Sequence, residues 1–205
     1  MELKEAIKKR ASIRTFKDTA IPAEDLKELV KMGGQAPSVN NYQPWTFYAI
    51  TNNKLMGKMA DKIKEKIEEI PENESKASGN IKSQVEWFST FFESAPTVIA
   101  LAMDEYESIL EKGVKISHND INAMRNYPDI QSAGAAIQNI LLAAVDMGYG
   151  ACWMSAPMIA KEDLEEIIGV KENAHLIAFV ALGVPAQDVK PKEKKPLDEI
   201  FKLIE

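Results

Sequence analysis

Apolar residues recur at helical spacing in some stretches of this chain and run almost unbroken in others, so helices and strands should alternate. Glu2 to Lys9 puts Leu3, Ala6 and Ile7 on one face of a short helix. Pro22 opens a second helix with Glu24 and Asp25 in its first turn, where carboxylates favour the helix dipole. Leu26, Leu29 and Val30 make its buried stripe, and Gly33-Gly34 stops it. Thr46 to Thr51 is aromatic and β-branched and predicts a strand. Asn53 to Ile70 reads as a charged amphipathic helix, and the polar run from Pro71 to Asn80 as the most mobile stretch. A further helix carries Val85, Trp87, Phe88, Phe91 and Phe92 and ends before Pro96. Its aromatics fit a core or an interface and could also wall a pocket.

Thr97 to Met103 is almost wholly apolar and predicts a strand buried on both faces. Asp104 to Lys112 reads as a short helix, whereas Gly113 to Pro128, with His118, Arg125 and Tyr127, has no clear period. Ile130 to Met147 is the most apolar helix in the chain, and apolar character all round predicts burial all round. Within it Gly134, Ala135 and Ala136 would let another backbone approach closely. Gly148 and Gly150 lead into a short strand, Ala151 to Met154. Lys161 to Ile168 follows as a helix ending at Gly169, then His175 to Leu182 as a second nearly continuous apolar strand. Beyond Gly183 the composition changes: Pro185, Pro191, Pro196 and a lysine cluster mark an extended arm, closed by Leu197, Ile200, Phe201 and Leu203. An apolar tail beyond such an arm needs a surface to bury against, and a partner subunit is the simplest one. We therefore expect one domain over 1–205, with residues 185–205 as a C-terminal arm wrapping the partner.

Composition narrows the function. At 205 residues and 22.8 kDa the chain can build its own core. A net charge of −6 argues against nucleic acid, whose affinity depends on neutralising phosphates with basic residues. The single cysteine excludes an internal disulfide and a Cys-cluster metal site, and His118 and His175 are too far apart in sequence to suggest a histidine centre. The N-terminus is charged, without the apolar core of a signal peptide, and no run approaches the ~18–20 apolar residues of a membrane span. A cytoplasmic protein without membrane or nucleic-acid partners is the expectation.

Two segments carry candidate chemistry. Ala36-Pro37-Ser38-Val39-Asn40-Asn41-Tyr42-Gln43-Pro44-Trp45 packs prolines, a hydroxyl, carboxamides and an aromatic between a helix and a strand. Each proline fixes its own φ and biases the preceding residue, Ala36 or Gln43, towards extended geometry. A stiff loop of amide donors suits the edge of a flat heteroaromatic ring, although Asn and Pro are also ordinary turn residues. Arg10-Ala11-Ser12-Ile13-Arg14 offers two guanidinium forks and a hydroxyl, a natural phosphate clamp. Its plainer alternative is a pair of surface arginines joined to carboxylates. Cys152 reads as an inert buried thiol with no acid or base beside it, and His175 as an ordinary strand-end residue.

Taken together, these blocks resemble the flavin-dependent nitroreductase family. The resemblance rests on Arg10–Arg14, on Ala36-Pro37-Ser38 with Asn41-x-Gln43-Pro44-Trp45, and on Gly148-Tyr149-Gly150-Ala151-Cys152-Trp153-Met154-Ser155-Ala156. Gly183-Val184-Pro185 with Lys194-Lys195-Pro196-Leu197 completes it. It implies an α+β fold, a central mostly antiparallel sheet flanked by helices as a three-layer sandwich, in an intertwined homodimer with an extended C-terminal arm. It further implies tightly bound FMN at the subunit interface. Arg10, Ser12 and Arg14, with the backbone of Ala11 and a lysine from Lys194 or Lys195, would hold the phosphate and ribityl region. Pro37, Ser38, Val39 and Asn41 of the opposite subunit would line the other flank, with Gln43 bracing their loop. Met154, Ser155 and Ala156 would lie along the isoalloxazine ring.

The activity so implied is an NADH- or NADPH-dependent oxidoreductase reducing nitroaromatics, quinones or similar electron-poor small molecules. One pocket serving reductant and acceptor in turn implies ping-pong kinetics. No residue of the chain need be catalytic, because flavin N5 would carry the chemistry. Alternatives are a specialised relative on the same scaffold (a dehalogenase or a flavin-destroying enzyme), a flavin-binding or flavin-storing homodimer without turnover, and a purely structural dimer.

Overall fold

The structure, a computed structural model, describes residues 1–71 and 76–205. Among these, strands β1 (Trp45–Ile50), β2 (Thr97–Asp104), β3 (Gly150–Met154) and β4 (Ala174–Gly183) form one sheet in the order β1-β2-β4-β3. Every neighbouring pair is antiparallel. The helices are α1 (Leu3–Lys9), α2 (Ala23–Gly34), α3 (Asn53–Glu68), α4 (Lys76–Thr90), α5 (His118–Met124), α6 (Pro128–Asp146), α7 (Lys161–Ile168) and α8 (Leu197–Ile200). None is long and apolar enough to cross a membrane.

Alternation along the strands sets the layers, because successive side chains point to opposite faces. Val98, Ala100 and Ala102 of β2, Phe179 and Ala181 of β4, and Cys152 and Met154 of β3 belong to one core. Met59, Ile63 and Ile67 of α3, Phe92 and Leu164 of α7 complete it. Their neighbours Ile99, Leu101, Met103, Ala178, Val180 and Leu182 pack on the opposite side against Leu29 of α2 and Ile137, Ile140 and Ala144 of α6. The result is the three-layer α+β sandwich. Both central strands are therefore buried on both faces, and burying each large apolar side chain contributes about 1.5–3 kcal/mol. Between α2 and α6 the approach is close: a Cβ at Gly33 would stand 2.8 Å from Ile140 Cγ1. Gly33 thus serves helix packing inside α2 rather than ending it.

Several expectations need correction. No helix spans Asp104 to Lys112: Asp104 belongs to β2, opposite Ala174, and only Ile109–Lys112 forms a 3-10 turn. The stretch without a clear period, 113–128, contains α5, capped by the Ser117 side chain. Helix α6 is not buried all round, since Ile130 is exposed and Leu142, Ala143 and Val145 are only half-buried. In α1 only Ala6 is buried, while Leu3 and Ile7 face outward. The expected mobile stretch falls partly on residues 72–75, outside the described residues, and the backbone of 76–80 forms the start of α4.

Candidate functional site

The first arginine segment is stitched to the edge of the sheet. Ser12 forms a parallel bridge with Ala151, and Ile13 N donates to Ala151 O at 3.0 Å. Lys17 N then donates to Val184 O at 2.8 Å, and Ala186 N to Thr15 O at 3.0 Å. So Ser12 and Ile13 lie beside β3, and residues 15–17 meet the start of the C-terminal arm. The close approach requires glycine at 150: a Cβ there would lie 2.7 Å from Ile13 Cγ1 and 2.9 Å from Ile13 Cβ.

This stitching brings Arg10, Ala11, Ser12 and Arg14 to one wall of a cavity of about 170 Å³, with Val189, Lys190, Lys192 and Lys194 on the other. Five cations and a hydroxyl converge there, and among the described residues no carboxylate lines the space. Lys194 is the predicted lysine that reaches the cavity, and Lys195 does not line it. Lys190 and Lys192 were missed from sequence. Their signal is the alternation Lys190-Pro191-Lys192-Glu193-Lys194, which in an extended chain puts three ammonium groups on one side. Arg14 Nη1 reaches Ser12 O at 3.4 Å, and the guanidinium stands 5.6 Å from the centroid of the Phe88 ring. Its Nε is buried without a hydrogen-bond partner among the described residues. A buried donor left unmatched costs about 1–3 kcal/mol, so this site suits an anionic ligand that supplies acceptor oxygens.

Cys152 lies close enough to this cluster to feel it. Burial pushes its thiol up, opposed by Arg14, a Ser12 hydrogen bond and Arg10. The expectation of no basic neighbour was thus wrong, yet burial prevails and the thiol stays protonated. Met154 is buried in the core beneath the sheet, so only its backbone can face a ligand, whereas Ser155 and Ala156 are exposed just beyond β3. Ser155 has φ −99° and ψ −22°, an ordinary backbone for a residue with a side chain. The aromatics expected on one helix divide: Trp87 and Phe88 of α4 remain exposed, Phe88 beside Arg14, while Phe91 and Phe92 lie beyond its end at Thr90, in the 3-10 turn Phe91–Ser94, and enter the core.

The proline-bounded loop is fixed by its own polar groups and by α6. Val39 N donates to Ser132 Oγ at 3.1 Å, and Gln43 N to Ser38 Oγ at 2.9 Å. Gln43 Nε2 reaches Asn41 Oδ1 at 3.3 Å, the expected brace. Gln43 is not extended, however: Asn40, Asn41 and Gln43 have φ of 51°, 53° and 51°, in the left-handed region. Asn tolerates that region best among residues with side chains, and the loop's hydrogen bonds hold Gln43 there against its proline. Pro37, Asn40 and Asn41 are exposed. None of residues 37–41 lines the basic cavity of the same chain.

Between β2 and α6 the chain builds a polar frame. Buried Tyr106 donates to Asn122 Oδ1 at 3.1 Å, and Asn122 Nδ2 donates to Asp129 Oδ1 at 3.0 Å. Glu111 accepts from Ser108 N at 3.0 Å and pairs with His118 Nδ1 at 2.8 Å, and the His118 bond holds its carboxyl below the usual range. The rings of Tyr42 and His118 pack edge-on to Tyr106, with centroids 6.4 Å and 5.0 Å away. Among the described residues no group of His, Cys, Asp and Glu could hold a metal ion.

With this geometry in view, the comparisons with known proteins are specific. The model of the nitroreductase family matches residues 7–184. A solved BluB-like flavoprotein from Clostridium difficile 630 is 31% identical with a TM-score of 0.87, covering 100% of both chains. A nitroreductase with bound FMN from Bacteroides fragilis superposes with a TM-score of 0.73 at 24% identity, again over 100% of both chains, a likeness of fold. Among curated relatives, the iodotyrosine dehalogenase 1 homolog of Caenorhabditis elegans is 27% identical over 207 residues. That match covers 97% of this chain but 60% of the relative, so the chain spans about three-fifths of that protein's length.

Proposed function

This chain belongs to the nitroreductase family, and on that premise we propose that it is an FMN-dependent oxidoreductase. In this reading it draws electrons from NADH or NADPH and reduces nitroaromatic, quinone or similar electron-poor acceptors. The observation that carries the reading is the cavity where Arg10, Arg14, Lys190, Lys192 and Lys194 converge on Ser12. Against a chain charge of −6, a cluster of five cations without a carboxylate is built for an anion, and the buried Arg14 Nε still wants an acceptor. A phosphate monoester fits both demands: guanidinium forks bind its oxygens in pairs and the lysines add point charges. Bound FMN would supply hydride transfer, which no arrangement of the chain's own side chains offers.

The protein's part is then to position and shield. Arg10, Ser12 and Arg14 with the backbone of Ala11 hold the phosphate end, together with Lys194 and the newly found Lys190 and Lys192. Ser155 and Ala156, exposed beyond β3, offer backbone N–H groups to the ring edge. Pro37, Ser38, Val39 and Asn41 face the same ring from a second subunit. A homodimer is supported by the apolar surface this chain leaves uncovered. Leu3 and Ile7 of α1 are exposed, and a groove of about 410 Å³ between α1, α2 and α6 is lined by Leu3, Met32, Leu142 and Met147. Leu197, Ile200, Phe201, Leu203 and Ile204 at the end of the arm are exposed as well. Exposed apolar surface of this extent marks an interface, and the arm over 185–205 wrapping the partner would cover it.

The test is an absorbance spectrum of the purified protein before and after NADH, followed by a nitro compound. A yellow protein that NADH bleaches and the nitro compound restores is the expected result. A colourless protein that takes up no FMN would refute the reading, and bleaching without recovery would leave a flavin binder. A second reading, dehalogenation, is favoured by the Caenorhabditis elegans relative aligned over 97% of this chain. It predicts faster recovery of the bleached protein with a halogenated phenol than with the nitro compound.

A further inference from the structure

A second concavity, of about 400 Å³, opens between the proline-bounded loop and the frame between β2 and α6. Asn40 stands on one side, Ile109, Leu110 and Val114 form an apolar wall, and Arg125 supplies the charge. The size suits a one- or two-ring molecule. The wall rests on a stiff support: Ser108 and Glu111 cap the turn Ile109–Lys112 reciprocally, and Glu111 also holds His118 of α5. At the far end of α5, Tyr106 and Asp129 fix Asn122, three residues before Arg125.

Four carboxylates of this segment are committed elsewhere. Glu107 pairs with Lys112 at 3.1 Å, Glu111 with His118 at 2.8 Å, Asp120 accepts from Ser117 Oγ at 2.6 Å, and Asp129 accepts from Asn122 at 3.0 Å. Arg125 makes no hydrogen bond or ion pair from its side chain to any described residue, although the chain has 31 acidic residues. An apolar wall facing an uncommitted guanidinium is complementary to a flat apolar body bearing an anion. The chain's net charge of −6 repels anions in general, so a dedicated cation is what admitting one would require.

We infer that this cavity receives the electron acceptor and selects aromatic or similarly flat molecules that carry a carboxylate, anchored by Arg125. The inference rests on the reading above, in which residues 37–41 flank a flavin and so bring Asn40 and this cavity beside it.

The experiment compares 4-nitrobenzoate with 4-nitrobenzamide, which share ring and nitro group and differ in charge. Wild-type protein should show a kcat/KM for 4-nitrobenzoate about tenfold above that for the amide, the factor one exposed charge-assisted bond supplies. Arg125→Gln should bring that ratio near one, chiefly by raising KM, and Arg125→Lys should restore part of it. Calorimetric titration with benzoate gives a readout independent of turnover, and its Kd should rise about tenfold in Arg125→Gln. Lys112→Gln removes the same charge from a lysine outside the cavity and should keep the preference. Equal kcat/KM for the two acceptors in wild type overturns the inference, as does an unchanged benzoate Kd in Arg125→Gln, or an equal effect of Lys112→Gln. Yellow colour and NADH bleaching are read in the same samples. If they persist, only the anchor fails; if they are absent, the flavin reading fails and takes the anchor with it.

Discussion

Gly150→Ala tests whether sheet packing positions the proposed phosphate clamp. The new Cβ would meet Ile13 Cγ1 at 2.7 Å and both Ile13 Cβ and Cγ2 at 2.9 Å. Ordinary carbon contacts begin near ~3.5 Å, so the Ser12–Arg14 segment must retreat by about 1 Å. That stretches the 3.0 Å bond from Ile13 N to Ala151 O to about 4 Å, beyond hydrogen-bond reach. Overpacking of this kind costs about 1–3 kcal/mol. Displacing the clamp forfeits one charge-assisted bond to phosphate, about 1.5–3 kcal/mol, or roughly a ten- to hundredfold rise in the Kd for FMN. Denaturant unfolding of the flavin-free protein reads the first quantity, and quenching of FMN fluorescence on titration reads the second. Ile13→Ala removes two of the three clashing atoms, so in the double variant the losses should fall short of the sum by about 1 kcal/mol or more. Stability and FMN affinity both unchanged in Gly150→Ala would show that the segment tolerates the side chain and that β3 does not set the position of the arginines.

Arg14→Met should weaken FMN retention tenfold or more while leaving the stability of the flavin-free protein unchanged or higher, because the orphaned Nε is removed; equilibrium dialysis and thermal melting measure the two effects. Ser132→Ala deprives Val39 N of its acceptor and should cost about 1 kcal/mol, with faster amide exchange at Val39 by NMR. Tyr149 donates to Asp25, and this bond together with burial pushes its phenol up to about 12. A raised folded-state value stabilises below the ordinary phenol value of about 10 and fades as pH rises through about 12. Thermal melts should therefore fall across that window in wild type and less steeply in Tyr149→Phe, which should itself lose about 1 kcal/mol at neutral pH.

Residues whose chemistry is local could be read from the chain. The apolar runs of β2 and β4 specify doubly covered strands whatever surrounds them, and Lys161–Ile168 with Gly169 at φ 76° announces a helix and its stop. The arginine segment could be recognised, but not its two further lysines, because their convergence depends on the arm turning back to meet Thr15 and Lys17. Helix α5 escaped because Ile121 and Asn122 are its only buried residues, and the hydrogen bonds that Asn122 accepts from Tyr106 and donates to Asp129 secure it in place of an apolar stripe. Asp104 looked like a helix start, yet its N–H completes the sheet by donating to Pro44 O at 2.6 Å. Gln43 shows the same limit, as contacts within the loop outweigh the bias of the following proline.

The strand nearest the carboxyl end, β4, lies inside the sheet between β2 and β3, and the arginine segment at the opposite end of the chain is secured by residues 151, 184 and 186. On the ribosome, then, an emerging polypeptide holds an unfinished sheet, with β2 and β3 unjoined, until Ala174–Gly183 has been synthesised. Its basic cradle takes shape only after translation has passed the lysines of the arm, so neither half of this protein made alone could assemble that cradle.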